Sequence, residues 1–361
     1  MLGFSVLIAL YTVFYVFLFS GWKWISKSKK TTGENVTLDE ITLVIPFRNE
    51  YENLKSLLKT LDTLSSIPKE IIFINDHSDD DWKLLFEETP PHVSVYSIDE
   101  KAQGKKAAVL MGIKKAQSDY VLCWDADIDV EPDYFEQIQK IPAADLVILP
   151  VQFRSQNSLQ SMGEIDFYLA NFVNQASAYW LRPVMCNGAN LLVHKESYLE
   201  VIALDQHEHV LSGDDMFLLR NMTKAQKNIH LASSNQCIVR TNSPISLKAY
   251  LRQRSRWMGK SFYIQDGLLV FWAGLQFTLA ISLLVIFAYW AVHDLKLFLL
   301  FFAIKSLLDL SFLTPYFNAI QKKKLLFFMP IYGLIFPFYN LLILLSFFYH
   351  RQEWKGRKLY Q

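Results

Sequence analysis

The sequence predicts an α/β domain with a mostly parallel, doubly wound sheet, held to a membrane by apolar helices at both ends. Three observations predict it. Short β-branched runs alternate with leucines at helical spacing between residues 41 and 124. Charged side chains recur where those runs stop. Uncharged stretches long enough to cross a bilayer occupy residues 2–19 and return from about residue 264. The composition agrees: 52% hydrophobic and 15% aromatic is too apolar for a wholly soluble chain, and 20% charged is too polar for a pure membrane bundle. A net charge of +1 supplies no global field for nucleic acid, which is excluded as an expected partner. Cys123, Cys186 and Cys237 lack C-x-x-C spacing and read as reduced, buried thiols of a cytoplasmic domain.

In chain order, residues 1–22 read as an uncleaved N-terminal anchor. No basic segment precedes the apolar run and no small-residue cleavage site ends it. Lys23, Lys27, Lys29 and Lys30 come next, so the positive-inside bias places the chain from about residue 23 in the cytoplasm. Residues 23–40 form a linker. The run 41–45, closed by Pro46, is a buried strand. Leu54, Leu57, Leu58 and Leu61 mark a helix over 52–64. Strands are expected at 71–74 and 93–98, a helix at 105–116, and a strand at 120–124 that stops in Asp125-Ala126-Asp127. In doubly wound sheets ligands sit beyond the carboxyl ends of the strands. Pro46, Arg48, Glu50, Asp76, Asp125 and Asp127 all fall on that edge, which makes it the expected site.

The catalytic domain is expected over 41–263 and a C-terminal transmembrane region over 264–350, with a tail at 351–361. Residues 267–290 and 325–349 are each long enough to span. The stretch between them holds Lys305 and Asp309, four residues apart and able to pair on one helix face, so two or three C-terminal spans are expected.

Read from chemistry alone, two carboxylates at a strand end offer hard oxygen ligands for Mg²⁺ or Mn²⁺. Arg48 and Glu50 can hydrogen-bond a base or hydroxyls. Lys105 opens a helix, and a helix N-terminus with a lysine favours anions. Asp79 and Asp80 are expected to cap a helix starting near Asp81. Gln253, Arg256 and Trp257 share a helical face, where a guanidinium can hold a diphosphate and an indole can stack on a sugar. Arg252, Arg254, Arg256, Trp257 and Lys260 also suit a membrane surface. His207 and His209 read as surface residues, and Trp180 and Arg182 as either acceptor contacts or packing.

The order of these motifs resembles the membrane-bound branch of the family 2 glycosyltransferases of the GT-A fold, over roughly residues 41–262. Val44-Ile45-Pro46-Phe47-Arg48-Asn49-Glu50 is similar to the opening nucleotide-contacting segment. Ile74-Asn75-Asp76-His77-Ser78-Asp79-Asp80 resembles V-D-D-G-S-x-D, with His77 in place of glycine. Gly104 to Gly112 resembles G-K-x-x-A-L-N-x-G, with Leu110 for asparagine. The D-x-D comes next, then Cys186 to Val193, similar to the G-x-N strand. Ser212-Gly213-Asp214-Asp215 stands where the family's acceptor motif has its two acids. Thr241 to Pro244 resembles T-E-x-P with Asn242 for glutamate, and Gln253-Arg254-Ser255-Arg256-Trp257 matches Q-x-x-R-W.

The resemblance implies a catalytic set of Asp215 as base, Asp214 and Arg256. It implies Asp127 on the metal with Asp125 on ribose or metal, and Pro46, Arg48, Glu50, Asp76, Lys105, Gln253, Arg256 and Trp257 around a nucleotide-sugar donor. The expectation is an inverting, metal-dependent transferase, using a UDP-sugar and a lipid or lipid-linked glycan acceptor of the cell envelope. It is a multi-pass cell-membrane protein with a cytoplasmic catalytic domain. A processive polysaccharide synthase with partner subunits is the alternative, and a catalytically silent scaffold a further one.

Overall fold

The structure, a computed structural model, describes residues 2–27, 34–203, 214–349, 353–354 and 357–358. Lys29, Lys30, His207, His209, Ser212, Gly213 and most of the expected tail lie outside the described residues. Along the chain run helix α1 (Leu2–Lys27), strand β1 (Ile41–Phe47), α2 (Tyr51–Asp62), β2 (Glu70–Asn75), β3 (Val93–Ser97), α3 (Gly104–Lys115) and β4 (Tyr120–Trp124). Then come β5 (Ile128–Val130), α4 (Tyr134–Ile138), β6 (Leu146–Ile148), β7 (Val151–Arg154), α5 (Ser158–Trp180), β8 (Asn190–His194), α6 (Lys195–Ile202) and α7 (Asp214–Lys224). The last are β9 (Ile229–Leu231), β10 (Val239–Asn242), α8 (Leu247–Ile264), α9 (Gly267–His293), α10 (Leu295–Ala319) and α11 (Met329–Tyr349). Two compact units result. One comprises residues 1–28, 155–185 and 243–353, and the other 29–154, 186–242 and 354–361.

The sheet unit holds a seven-stranded sheet in the order β3-β2-β1-β4-β8-β6-β9. The pairs among β1 to β4 are parallel, as alternating strands and helices require, and so is β6 with β9. The pairs β4–β8 and β6–β8 are antiparallel, so the sheet is mixed. Strand β1 is buried along its whole length, which explains its unbroken apolar run. Helix α3 packs on it through Gly112, where an added Cβ would sit 2.3 Å from Val44 Cγ1. Leu110 is half-buried against this core. A second sheet, β5-β10-β7, completes the unit.

Among the described residues the helical unit contains four helices long and apolar enough to cross a membrane, one N-terminal and three C-terminal. Three C-terminal helices of that length and composition are found among the described residues, and the chain is a membrane protein. Within this unit α5 runs along α1, with Trp22 against Phe172 and the indole of Trp180 stacked on Phe17. Trp180 also donates its indole N–H to Phe17 O, and Arg182 pairs with Asp266 at 2.8 Å. Lys305 and Asp309 are buried and pair at 2.7 Å, with Tyr11 donating to the same carboxylate. Each leaves water at a cost, which their mutual contact and the Tyr11 hydrogen bond offset in part.

Candidate active site

Strands β1, β2 and β4 end at one sheet edge. Because β8 runs antiparallel, with Asn190 opposite Trp124, it begins at that same edge. Four chain segments thus deliver groups to one place.

Pro46 lies in β1 opposite Ile74, and the chain leaving that strand passes through Asn49 at φ 51°. Arg48 then reaches across to donate to the carbonyl of Asp76 at 3.2 Å. The Asp76 carboxylate is buried and accepts from the Gly104 N–H at 3.2 Å. Gly104 adopts φ 88°, a backbone that side chains rarely tolerate, which explains a glycine there. His77 stands at φ 54°, so the turn that glycine serves in the family is kept, with histidine bearing the left-handed conformation. Its ring lies 3.3 Å from the Asp76 carboxylate. Asp80 accepts from the N–H of Tyr51 at 2.8 Å. It therefore caps α2 rather than a helix near Asp81, which makes no side-chain cap bond.

Lys105, at the start of α3, donates to the Asp125 carboxylate and to Gly188 O. Asp127 is exposed at the rim of the edge, with other acids close by. Desolvation, then the charges of Asp125 and Glu50, push its pKa up to about 6, while the Thr241 hydroxyl and Lys105 act in the opposite direction. Thr241 donates to its Oδ2 at 3.2 Å. The edge therefore carries more negative charge than its own side chains neutralise. Among the described residues no three His, Cys, Asp or Glu side chains close a cage. Asp125 and Asp127 still supply hard oxygen donors, and the remaining places on a divalent ion would fall to ligand oxygens and water.

Asp215, in the first turn of α7, accepts from the N–H of Gly188 at 3.1 Å and of Met216 at 2.9 Å. Cys186 donates its thiol hydrogen to the Asp215 carbonyl. The G-x-N segment thus holds Asp215 in place, and Asn190 anchors that segment from below. Its amide donates to Pro150 O and Cys237 O and accepts from the buried Tyr134 hydroxyl. Asp214 begins the same helix, and its side chain lies outside the described residues.

Arg48, Glu50, Asp76, Lys105, Asp125, Asp127 and Asp215 are thus assembled in the sheet unit. Gln253, Arg256 and Trp257 lie on α8, in the helical unit. There Gln253 Oε1 is buried without a hydrogen-bond partner among the described residues. Arg254, expected among the membrane-surface cations, is instead buried in an ion pair with Asp166. Sequence reasoning gave no role to Thr241 or the Gly188 N–H. The signals were present, in the T-N-S-P lead-in and the G-x-N segment, but only pairing across the fold shows what they touch.

A mixed α/β sheet of this strand order, with its strand ends gathered at one edge, is of the GT-A type. Residues 42–198 match the family described as Glycosyl transferase family 2. That segment is a family 2 glycosyltransferase domain, and the chain is a glycosyltransferase.

Curated relatives include a poly-beta-1,6-N-acetyl-D-glucosamine synthase of Staphylococcus aureus, 36% identical over 97 residues, 27% of this chain and 24% of that protein. The protein of the same name from Staphylococcus epidermidis is 28% identical over 160 residues, 43% of this chain and 38% of that one. The aligned segments thus span well under half the length of these relatives. A solved mannosyltransferase from Pyrobaculum calidifontis, in complex with GDP-Man and Mn²⁺, superposes with a TM-score of 0.60 at 15% identity. It covers 92% of this chain and 98% of its own, a likeness of fold.

Proposed function

We propose that this protein is an inverting transferase that moves a sugar from a UDP-sugar to a hydroxyl of a membrane lipid or lipid-linked glycan, on the cytoplasmic side of the cell membrane. The observation that carries the reading is Asp215, fixed by the Gly188 N–H at the edge to which Asp125 and Asp127 belong. A carboxylate held by two N–H donors is oriented before an acceptor arrives. It accepts the proton as the acceptor oxygen attacks the anomeric carbon and the nucleoside diphosphate leaves with the bonding pair. Arg48, Glu50 and Asp76 hold the base and ribose. Lys105 offsets diphosphate charge, and Arg256, Gln253 and Trp257 of α8 have the donor and acceptor roles that their motif implies.

The crowded carboxylates fit a divalent ion, Mg²⁺ or Mn²⁺, held by Asp127 and Asp125. When bound it would neutralise charge on the leaving diphosphate. The mannosyltransferase with Mn²⁺ supports that choice of ion class. The synthase relatives support a second reading, a processive enzyme building an amino-sugar polymer with partner subunits.

The test is nucleotide diphosphate release by purified protein with Mg²⁺ or Mn²⁺, membrane lipids and a panel of nucleotide sugars. Asp215→Asn is expected to lower release by a factor on the order of 10²–10⁴ while nucleotide binding persists. Equal turnover in the variant would refute the assignment of the base. The labelled product then separates the two readings, one sugar on a lipid against a ladder of polymer.

A further inference from the structure

The three arginines of α8 have different surroundings. Arg252 is exposed, Arg256 is half-buried, and Arg254, inside the Q-x-x-R-W motif but outside its named letters, is buried. Its Nε lies 3.0 Å from Asp166 Oδ2 of α5, and its Nη2 donates to Gly163 O at 3.1 Å. Asp166 is the hub of a wider cluster. Tyr332 donates to its Oδ1 at 3.1 Å and Tyr339 to its Oδ2 at 3.2 Å, both from α11. Tyr250, one turn before Arg254 on α8, reaches Asp166 Oδ2 at 3.4 Å and meets the Tyr339 hydroxyl at 2.6 Å. Gly163 makes the approach possible, since a Cβ there would fall 2.6 Å from the Tyr250 ring.

The guanidinium does a second thing with its flat faces. Its carbon lies 4.3 Å from the Trp257 ring centroid and 5.0 Å from that of Tyr250. Trp257 also touches Phe167, the residue after Asp166, with centroids 6.1 Å apart. Two consecutive residues of α5 thus fix Arg254 and Trp257 together. A buried charge that only closed a helix contact would not need a planar cation over the motif's tryptophan. A lysine could replace the charge but not the fork and the stacked plane.

We propose that Arg254 is a positioning residue that sets the orientation of the Trp257 indole for the acceptor, with Asp166 and the three tyrosines holding the arginine. This rests on the proposed contact between Trp257 and the acceptor. Arg254→Lys keeps a cation for Asp166 and removes the stacked plane. Asp166→Asn combined with Arg254→Met removes both charges together, in case the single change fails to fold.

The experiment pairs a spectroscopic and a kinetic readout. Protein labelled with 5-fluorotryptophan is placed in lipid nanodiscs, and the ¹⁹F resonance of residue 257 is assigned by Trp257→Phe. Nucleotide release is then measured in mixed micelles with a rising mole fraction of bacterial polar-lipid extract, and separately against rising nucleotide sugar. The expected result is a shifted or broadened 257 resonance and an apparent KM for extract raised about tenfold, with the donor KM unchanged. An unchanged resonance, or an unchanged extract KM in a folded and active variant, overturns the proposal. So does an equal rise in both KM values with a lowered melting temperature, the mark of a purely structural role. If wild-type protein releases nucleotide from no donor, the transferase reading fails first and the proposal falls with it.

Discussion

Two carboxylates, the exposed Asp127 in the sheet unit and the buried Asp166 in the helical unit, are treated by the fold in opposite ways. Asp166 accepts from Tyr250, Tyr332 and Tyr339 and pairs with Arg254, so its charge is fully answered by the chain. Asp127 has one hydroxyl partner, Thr241, and faces two further acids, so its charge is resisted. A satisfied buried charge specifies packing. A crowded one, kept exposed at a sheet edge, is open to something that arrives later, in the proposed function a cation with its diphosphate.

The sharpest break of this comparison is to remove each carboxylate in turn. Asp166→Ala strands Arg254 in the interior and is expected to destabilise by about 3–5 kcal/mol, read as lost melting temperature or lost folded yield in detergent. Asp127→Asn relieves like-charge crowding. It is expected to leave the melting temperature unchanged or raised while abolishing Mn²⁺-dependent nucleotide binding by calorimetry. A large stability loss in the second variant would show that Asp127 is structural, and the comparison would collapse.

A smaller effect checks that the sheet edge depends on the packing beneath it. Gly112→Val drives a side chain into Val44 of β1 and is expected to cost roughly 1–3 kcal/mol by overpacking. Measured thermal stability equal to wild type would mean that α3 can lift off the strand.

The smallest concerns Asp266, a carboxylate paired with an arginine as Asp166 is. Burial raises its pKa, but the Arg182 hydrogen bond and charge, with the N–H groups of Leu268 and Leu269, outweigh it and lower the net value. A depressed folded pKa contributes stability that is present above the unfolded value of about 3.9 and is lost as pH falls through the folded one. Asp266→Ala is expected to cost about 1 kcal/mol through the lost helix cap of α9, measured at neutral pH. In an acid titration of stability, the gap between variant and wild type should close below the carboxylate range. A gap that persisted there would assign the effect to packing.

Much of the molecule is legible from residue order. The limits of β1, β2, β4, α2 and α3 come from apolar period and β-branching, and agree with the structure to within about two residues. The D-x-D, Asp76, Lys105 and Asp215 are legible because each is punctuation at the end of a strand or the start of a helix. What fails is any question of which partner a side chain would choose. Asp80 caps α2 instead of its own segment, since the Tyr51 N–H comes to it from another turn. Arg254 looks like Arg252 and Arg256 in the sequence, yet it alone of the three is buried.

Residue order is enough to set the class of this protein: a parallel-sheet domain with acids at its strand ends, an acceptor-type carboxylate and apolar helices for a membrane. Local rules suffice for that, because periodicity and strand-end chemistry are properties of consecutive residues. Long-range closure of the chain was needed for β8 to run antiparallel and bring Gly188 to Asp215, for Thr241 to become the partner of Asp127, and for Arg254 to be committed inside the protein to Asp166 and Trp257. Those choices are made by contacts between residues up to 114 apart in the chain, as for Thr241 and Asp127. Desolvation and geometry select them only once the chain has closed on itself.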